Sequence, residues 1–139
     1  MAQEVAFQLE NTVALLRQFP ATLAALLGAL PAGLTAANEG EKTWSAFDTV
    51  GHLCHLERNH WMQRVRTVLE HGPRQPLAPV DRFAQMREST GKSLADLLAE
   101  FAMLRAANVA ELEALHARGS LGTEQLAQPG AHPSLGPIT

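Results

Sequence analysis

Residues 93–117 read SLADLLAEFAMLRAANVAELEALHA, and this stretch decides the fold class. Apolar residues recur in it at spacings of three and four, which is the period of one face of an α-helix. Ser93 followed by Asp96 is the pattern of a capping box, in which each side chain bonds the backbone N–H of the other residue. Gly119 provides a stop signal just beyond the stretch. The sequence therefore predicts a long helix over 93–117.

Two earlier stretches show the same helical period. The first covers residues 1–31, and we expect a kink or a break at Pro20, because proline lacks a backbone N–H and clashes with the preceding turn. The second covers residues 46–71 and opens on another capping-box pattern, Ser45 with Asp48. The sequence thus predicts three long helices.

The remaining segments are rich in proline and glycine. Residues 73–91 predict a crossover loop with one helical turn near 82–88, and residues 118–139 predict an irregular tail. Three long helices with one crossover predict an all-α, up-down helical bundle in a single domain, 1–139. Residues 136–139 have the composition that is typical of the start of another helix. A three-helix bundle and a four-helix bundle that lacks its last member therefore both fit.

Composition excludes several classes of function. Leu and Ala dominate the hydrophobic 46% of the chain, there is no Tyr, and the net charge of −3 is spread along the sequence, so we expect no nucleic-acid partner. No run approaches the roughly 18 apolar residues of a membrane span, and the N-terminus lacks the pattern of a signal peptide. The single cysteine, Cys54, rules out an intrachain disulfide and suits a reducing compartment. We expect a cytoplasmic protein without a membrane partner.

Three histidines lie close together on the second predicted helix, in the segment GHLCHLERNH of residues 51–60. Helix geometry places His52 and His55 about 60° apart with roughly 4.5 Å of axial rise, so both can face one site. His60 stands some 12 Å along the axis from His52 and does not suit the same ion. Glu57 lies between them and is a candidate for a carboxylate ligand, a partner of a ligand, or a general base.

Imidazole binds zinc, nickel, iron and copper, which makes this helix a candidate metal platform. A mononuclear site needs three or four ligands, whereas one helix face supplies at most two. The alternative is that these histidines are half-buried polar residues, hydrogen-bonded where helices pack. Cys54 is interpreted as a small buried hydrophobe rather than a reactive thiol. Trp44 and Trp61 are interpreted as core anchors that could also form a pocket wall.

The order of these motifs resembles the DinB/YfiT-like superfamily, from about Val13 to Thr139. The segments that carry the resemblance are Phe19-Pro-Ala-Thr-Leu, the stretch from Trp44-Ser-Ala-Phe-Asp to Gly51-His-Leu-Cys-His-Leu-Glu, Asp81-Arg-Phe-Ala-Gln, Gly91-Lys-Ser-Leu and His132-Pro-Ser-Leu-Gly. The resemblance implies a four-helix bundle, usually dimeric, that holds a divalent metal such as Zn or Ni with three histidines.

Carried over residue by residue, the resemblance makes His52 a metal ligand. The other two ligands of such proteins come from a His-x-x-x-His motif on the last helix, and in these proteins that helix begins directly after the segment that matches residues 136–139. His55 and His132 occupy similar positions without being standard ligands, and they are the weaker metal candidates. Glu57 is a weak candidate for a catalytic base.

The missing last helix also has a consequence for packing. Apolar stripes left bare on two helices would forfeit on the order of ten kcal/mol at about 25 cal/mol per Å², so we expect self-association, rearrangement or coverage by the tail. Two functions fit the sequence. One is a metal-dependent enzyme with a small-molecule ligand, related to the superfamily's thiol-dependent transferases. The other is a non-catalytic, dimerising helical module with structural histidines.

Overall fold

A computed structural model of the chain describes residues 8–72, 75–77, 79–81 and 83–119. Every regular element in these residues is an α-helix, which confirms the predicted all-α class. The elements are α1 (Leu9–Leu27), α2 (Ala32–Thr35), α3 (Ala46–Asn59), α4 (Trp61–His71), α5 (Ala84–Glu88) and α6 (Leu94–Ala117).

Helices α1, α3 and α6 form the predicted bundle, and contacts between their residues fix their directions. α1 runs antiparallel to α6, whereas α3 and α6 run parallel. The contacts are Glu10–His116 and Phe19–Phe101 between α1 and α6, and Cys54–Leu97 and Glu57–Asn108 between α3 and α6. Parallel neighbours cannot be joined by a tight turn, which explains the long connection that the sequence places between them.

Both predicted capping boxes are present. The hydroxyl of Ser45 accepts from the backbone N–H of Asp48 at 3.1 Å, and the Asp48 carboxylate accepts from the backbone N–H of Ser45 at 3.0 Å. Ser93 and Asp96 form the same pair of bonds at the start of α6. Each box satisfies two backbone donors that a helix N-terminus leaves free. The sequence therefore located the first turns of α3 and α6 correctly.

Two apolar clusters form the core. One lies where α3 meets α6 and the other lies where α1 meets the C-terminal half of α6. The buried members of the first are Val50, Cys54, Leu97, Leu98 and Phe101, and those of the second are Leu9, Val13 and Val109. Cys54 belongs to the first cluster, which confirms its interpretation as a small buried residue.

The predicted break of the first helix at Pro20 is wrong, because α1 continues through that residue to Leu27. A proline at position 20 leaves the carbonyl of Leu16 without its usual helical partner. Here the guanidinium of Arg105, on α6, donates to that carbonyl at 3.0 Å. The bond that proline removes is replaced from another helix, so the helix stays intact.

The predicted single helix over residues 46–71 is also corrected. It is divided at His60, whose φ of −123° and ψ of −63° leave the helical region. The N–H of His60 still bonds the Leu56 carbonyl at 3.0 Å, and the His60 carbonyl accepts from the N–H of Arg64 at 3.0 Å, so helical hydrogen bonding reaches His60 from both sides. Beyond the bend, Val65 and Leu69 on α4 pack against the second core cluster.

The short elements complete the description. α5 confirms the helical turn predicted near residues 82–88, whereas α2 was not predicted. Of the predicted tail, Arg118 and Gly119 form a turn after α6, and the rest lies outside the described residues. No helix in the described part of the chain combines the length and apolar character needed to cross a membrane.

Candidate functional site

His52, the ligand implied by the resemblance, lies half-buried in the middle of α3. Its imidazole ring packs against the indole of Trp44, with the ring centres 4.7 Å apart and the planes tilted by 49°. Trp44 directly precedes Ser45, so the capping box that starts α3 also fixes the approach of this aromatic ring. Trp44 therefore forms a wall beside His52.

His55 lies one turn further along α3 and is buried. Its Nδ1 atom is 3.0 Å from each carboxylate oxygen of Glu88, which is the last residue of α5. The side-chain amide nitrogen of Asn59 lies 3.2 Å from the same ring atom. A carboxylate accepts hydrogen bonds and an amide nitrogen donates them, so Nδ1 of His55 donates to Glu88 in one tautomer and accepts from Asn59 in the other.

The carboxylate of Glu88 belongs to a chain of ion pairs that joins three parts of the fold. Arg58, on α3, lies 3.5 Å from Glu88 and also pairs with Glu100 on α6. Glu100 in turn accepts from the ammonium of Lys92 at 2.8 Å, just before α6 begins. The charges alternate along this chain, which holds α5 in place against α3 and α6.

Helix α5 approaches α3 closely at Gly51, the residue before His52. A methyl group at position 51 would come within 2.5 Å of the Ser89 hydroxyl, so glycine is needed for this packing. Gln85 also faces this contact and is completely buried, and its amide nitrogen and oxygen have no hydrogen-bond partner among the described residues. The contact between α3 and α5 is therefore a polar region with unused hydrogen-bonding capacity.

His60, the third histidine of the segment, is buried at the junction of α3 and α4, with its ring centre 4.8 Å from that of Trp61. Burial lowers its pKa, and the positive charge of Arg64 and the neighbouring His55 and His52 lower it further. The neutral imidazole is thus the favoured form in the folded protein. Its position within the fold is that of a packing residue.

Glu57, the candidate base, is buried on the side of α3 that faces α6. One carboxylate oxygen accepts from Arg105 at 2.8 Å and the other accepts from the amide of Asn108 at 3.0 Å. The same amide also donates to the backbone carbonyl of Glu57 at 2.7 Å. We call this group, with Arg105 and Asn108, the Glu57 cluster. Its hydrogen bonds are directed within the protein.

Cys54 offers no reactive thiolate. Burial raises the pKa of its thiol to about 11, and the sulfur lies 3.3 Å from the backbone carbonyl of Leu97. At neutral pH the side chain is therefore a protonated, buried thiol, which suits a place in the core.

His52 and His55 are the predicted metal ligands that lie within the described residues. Within residues 8–72, 75–77, 79–81 and 83–119, no group of three or more His, Cys, Asp or Glu side chains is arranged to hold an ion. His132, the remaining candidate, lies outside the described residues.

Sequence reasoning found the histidines and missed the residues that surround them. Glu88, Gln85 and Ser89 lie at least 25 positions beyond the histidine segment, and the packing of α5 brings them to it. One local signal existed, because a glycine inside a predicted helix indicates close approach by another element. Gly51 carried that signal.

Comparison with known protein families gives a match over most of the chain. A family model described as the DinB superfamily matches residues 15–139, which include all of the elements from α2 to α6 and the candidate site. No curated protein matches the sequence.

Proposed function

Because this chain belongs to the DinB superfamily, we propose that it is a divalent-metal-binding protein in which His52 is a ligand. The observation that carries the proposal is the placement of His52 on a rigid helix, against Trp44, with His55 on the adjoining part of the same face. Imidazole nitrogen suits Zn and Ni, and these are the proposed metals.

The proposal extends to a small-molecule ligand, in keeping with the resemblance to thiol-dependent transferases. A bound divalent metal supplies Lewis acidity and lowers the pKa of a coordinated water or thiol. The contribution of the chain itself is orientation: the capping box of α3 fixes Trp44, and Trp44 packs against one face of the His52 ring. We place the protein in the cytoplasm, which is a reducing compartment. The lone, buried and unpaired thiol of Cys54 supports this location.

Glu57 has a structural part in this proposal. A general base needs a lone pair directed at its substrate, whereas the carboxylate of Glu57 is buried and accepts from both Arg105 and Asn108. We assign it the role of counter-ion to Arg105.

The test is metal analysis of purified protein, followed by calorimetric titration with Zn²⁺ and Ni²⁺. We expect one site per chain, and we expect the variant His52→Ala to lose at least tenfold in affinity. His71→Ala is the matched control, since His71 is an exposed histidine at the end of α4 and should leave affinity unchanged. Equal affinities for the wild type and His52→Ala would refute the proposal.

A second function, a non-catalytic dimerising module, is favoured by a different observation. Large apolar side chains stand exposed on α1 and α6: Leu15 is 74% exposed, Met103 is 68% exposed and Leu26 is 66% exposed. Between these helices lies a groove of about 510 Å³, lined mainly by small residues. Exposed apolar surface of this kind marks interaction sites. Sedimentation velocity tests this function, which predicts a dimer for the wild type and dissociation for Met103→Lys.

A further inference from the structure

We propose that α5 is a lid on α3. In a local opening, α5 separates from α3 while the other helices stay folded, and this movement gives solvent and small molecules access to the buried imidazole of His55. The lid is a property of the fold itself, so it does not depend on whether a metal binds at His52. It follows from the way in which α5 distributes its polar and apolar side chains.

The two faces of α5 are reversed relative to those of an ordinary surface helix. At about 100° per residue, Gln85 and Ser89 share the face toward α3, and both are buried there. Phe83, just before α5, and Met86 lie on the outer side and are 65% and 41% exposed. A helix at a protein surface normally buries its apolar residues and leaves its polar ones in water. The closed position of α5 is therefore opposed by its own side chains.

Gln85 shows the cost of the closed position most directly. It is 0% exposed, and neither its amide nitrogen nor its amide oxygen has a hydrogen-bond partner among the described residues. Both atoms gain hydrogen bonds to water when α5 leaves α3, so burial of the amide costs free energy in the closed state only. The Gln85 side chain thus favours the open position of the lid.

The contacts that hold the lid closed are few and mostly polar. Among the described residues, no member of α5 belongs to either apolar cluster, and the buried apolar side chain that α5 contributes is the small one of Ala84. Glu88 fastens α5 to α3 through His55 and Arg58. The side chains of Arg58 and Glu88 are 35% and 33% exposed, and ion pairs in contact with water add little stability. Segments with few buried apolar contacts are those that open locally.

The opening uncovers a defined part of α3. Gly51 lies against the Ser89 side chain and His55 lies against Glu88, so both lose their cover when α5 leaves. His55 is only 8% exposed in the closed structure. Between α5 and α6, Gly91 has a φ of +79°, a region that glycine enters freely, and it suits a pivot. Movement of α5 therefore exposes the imidazole without unfolding of α3 or α6.

A disulfide between positions 51 and 89 tests the lid by holding it closed. A Cβ atom at position 51 would lie 3.6 Å from Cβ of Ser89, which suits the separation of about 3.5–4.5 Å between the Cβ atoms of a disulfide. The double variant Gly51→Cys with Ser89→Cys is compared in its reduced form and after oxidation with diamide. Cys54 does not take part, because burial raises the pKa of its thiol to about 11.

The rate at which diethyl pyrocarbonate modifies His55, followed by mass spectrometry, reports the opening. We expect the disulfide to slow this modification at least about tenfold relative to the reduced protein, because it removes the local opening. The exposed His71 should react at the same rate in both forms. Ser89→Cys alone, treated with diamide, controls for the oxidant. Equal rates at His55 in the oxidised and reduced double variant would overturn the proposal.

Gln85→Met tests the reason for the opening. Methionine has a similar length and no amide, so the closed lid no longer buries unpaired polar atoms. We expect modification of His55 to slow by about tenfold. Gln63→Met, the same change at an exposed glutamine of α4, should leave the rate unchanged. An unchanged or faster rate in Gln85→Met would mean that the buried amide does not favour opening, which overturns the proposal.

Discussion

Helix α3 carries two polar clusters on different sides, and they differ in how completely their hydrogen bonds are used. The Glu57 cluster is buried, and its carboxylate oxygens and the Arg105 guanidinium all have protein partners. On the side that faces α5, the hydrogen bonds of the His55 ring with described residues are all at Nδ1, and Gln85 has an amide without a described partner. A satisfied buried network serves stability, whereas unused donors and acceptors provide capacity for a ligand.

The largest effect that would test this contrast is expected at Glu57. Glu57→Ala leaves the Arg105 guanidinium buried without its carboxylate, which typically costs about 3–5 kcal/mol. Urea denaturation should show this loss in the free energy of unfolding. Glu111→Ala, which breaks a more exposed pair with Arg66, should cost about 0–1 kcal/mol.

The metal affinity of the same variant is the second measurement that tests the contrast. Once folded, Glu57→Ala should bind Zn²⁺ as the wild type does, because its carboxylate belongs to the structural cluster. A variant that kept its stability and lost its metal would reverse our assignment of the two sides of α3.

A smaller effect is expected at Gly51, where α5 approaches. Gly51→Ala gains about 1 kcal/mol of helix propensity but places a methyl group 2.5 Å from the Ser89 hydroxyl, in a buried contact. Overpacking of this kind costs about 1–3 kcal/mol, so we expect a net loss of stability. Thermal unfolding followed by circular dichroism measures it.

The matched control for Gly51 is the same substitution in a Ser89→Ala background. Without the hydroxyl, the nearest Ser89 atom lies 3.6 Å from the added methyl group, an ordinary contact. Gly51→Ala should then be neutral or stabilising. If it destabilises both backgrounds equally, close packing of α5 is not the reason for the glycine.

The features that the sequence predicted correctly depend on neighbouring residues. The capping boxes at Ser45 and Ser93 each involve residues three positions apart, and the long helix over 93–117 follows from its own periodicity. Such features can be deduced locally because the physical cause lies within one or two turns of helix. The histidine segment was found for the same reason, since its residues share one helix.

The features that the sequence could not show depend on distant residues. The break predicted at Pro20 fails because Arg105, far along the chain, replaces the lost hydrogen bond of Leu16. The same arginine occupies the carboxylate of Glu57, which sequence spacing alone had made a candidate base. Glu88 reaches His55 only through the packing of α5. Partners of this kind are set by tertiary structure.

The smallest expected effect concerns His60, which distinguishes a packing histidine from the two candidate ligands. Its pKa is lowered in the folded protein, chiefly by burial, from an ordinary value of 6.5. Between that lowered pKa and 6.5 the unfolded chain binds more protons than the folded one, so stability rises with pH. The stabilisation is therefore present above about pH 6.5 and is lost as pH falls through the folded pKa.

Urea denaturation of the wild type and His60→Gln between about pH 5 and pH 7 should show a shallower pH dependence in the variant, while His71→Gln keeps the wild-type slope. This pH range lies above the pKa values of Glu10, Asp81 and Asp96, which are all lowered in the folded protein. Changes in the protonation of these carboxylates therefore fall at more acidic pH. Because the wild type and His60→Gln differ at no other residue, the difference between the two slopes isolates His60. An unchanged slope would mean that His60 accepts a proton as readily in the folded protein as in the unfolded chain. All three imidazoles of residues 51–60 would then have to be weighed equally as metal ligands.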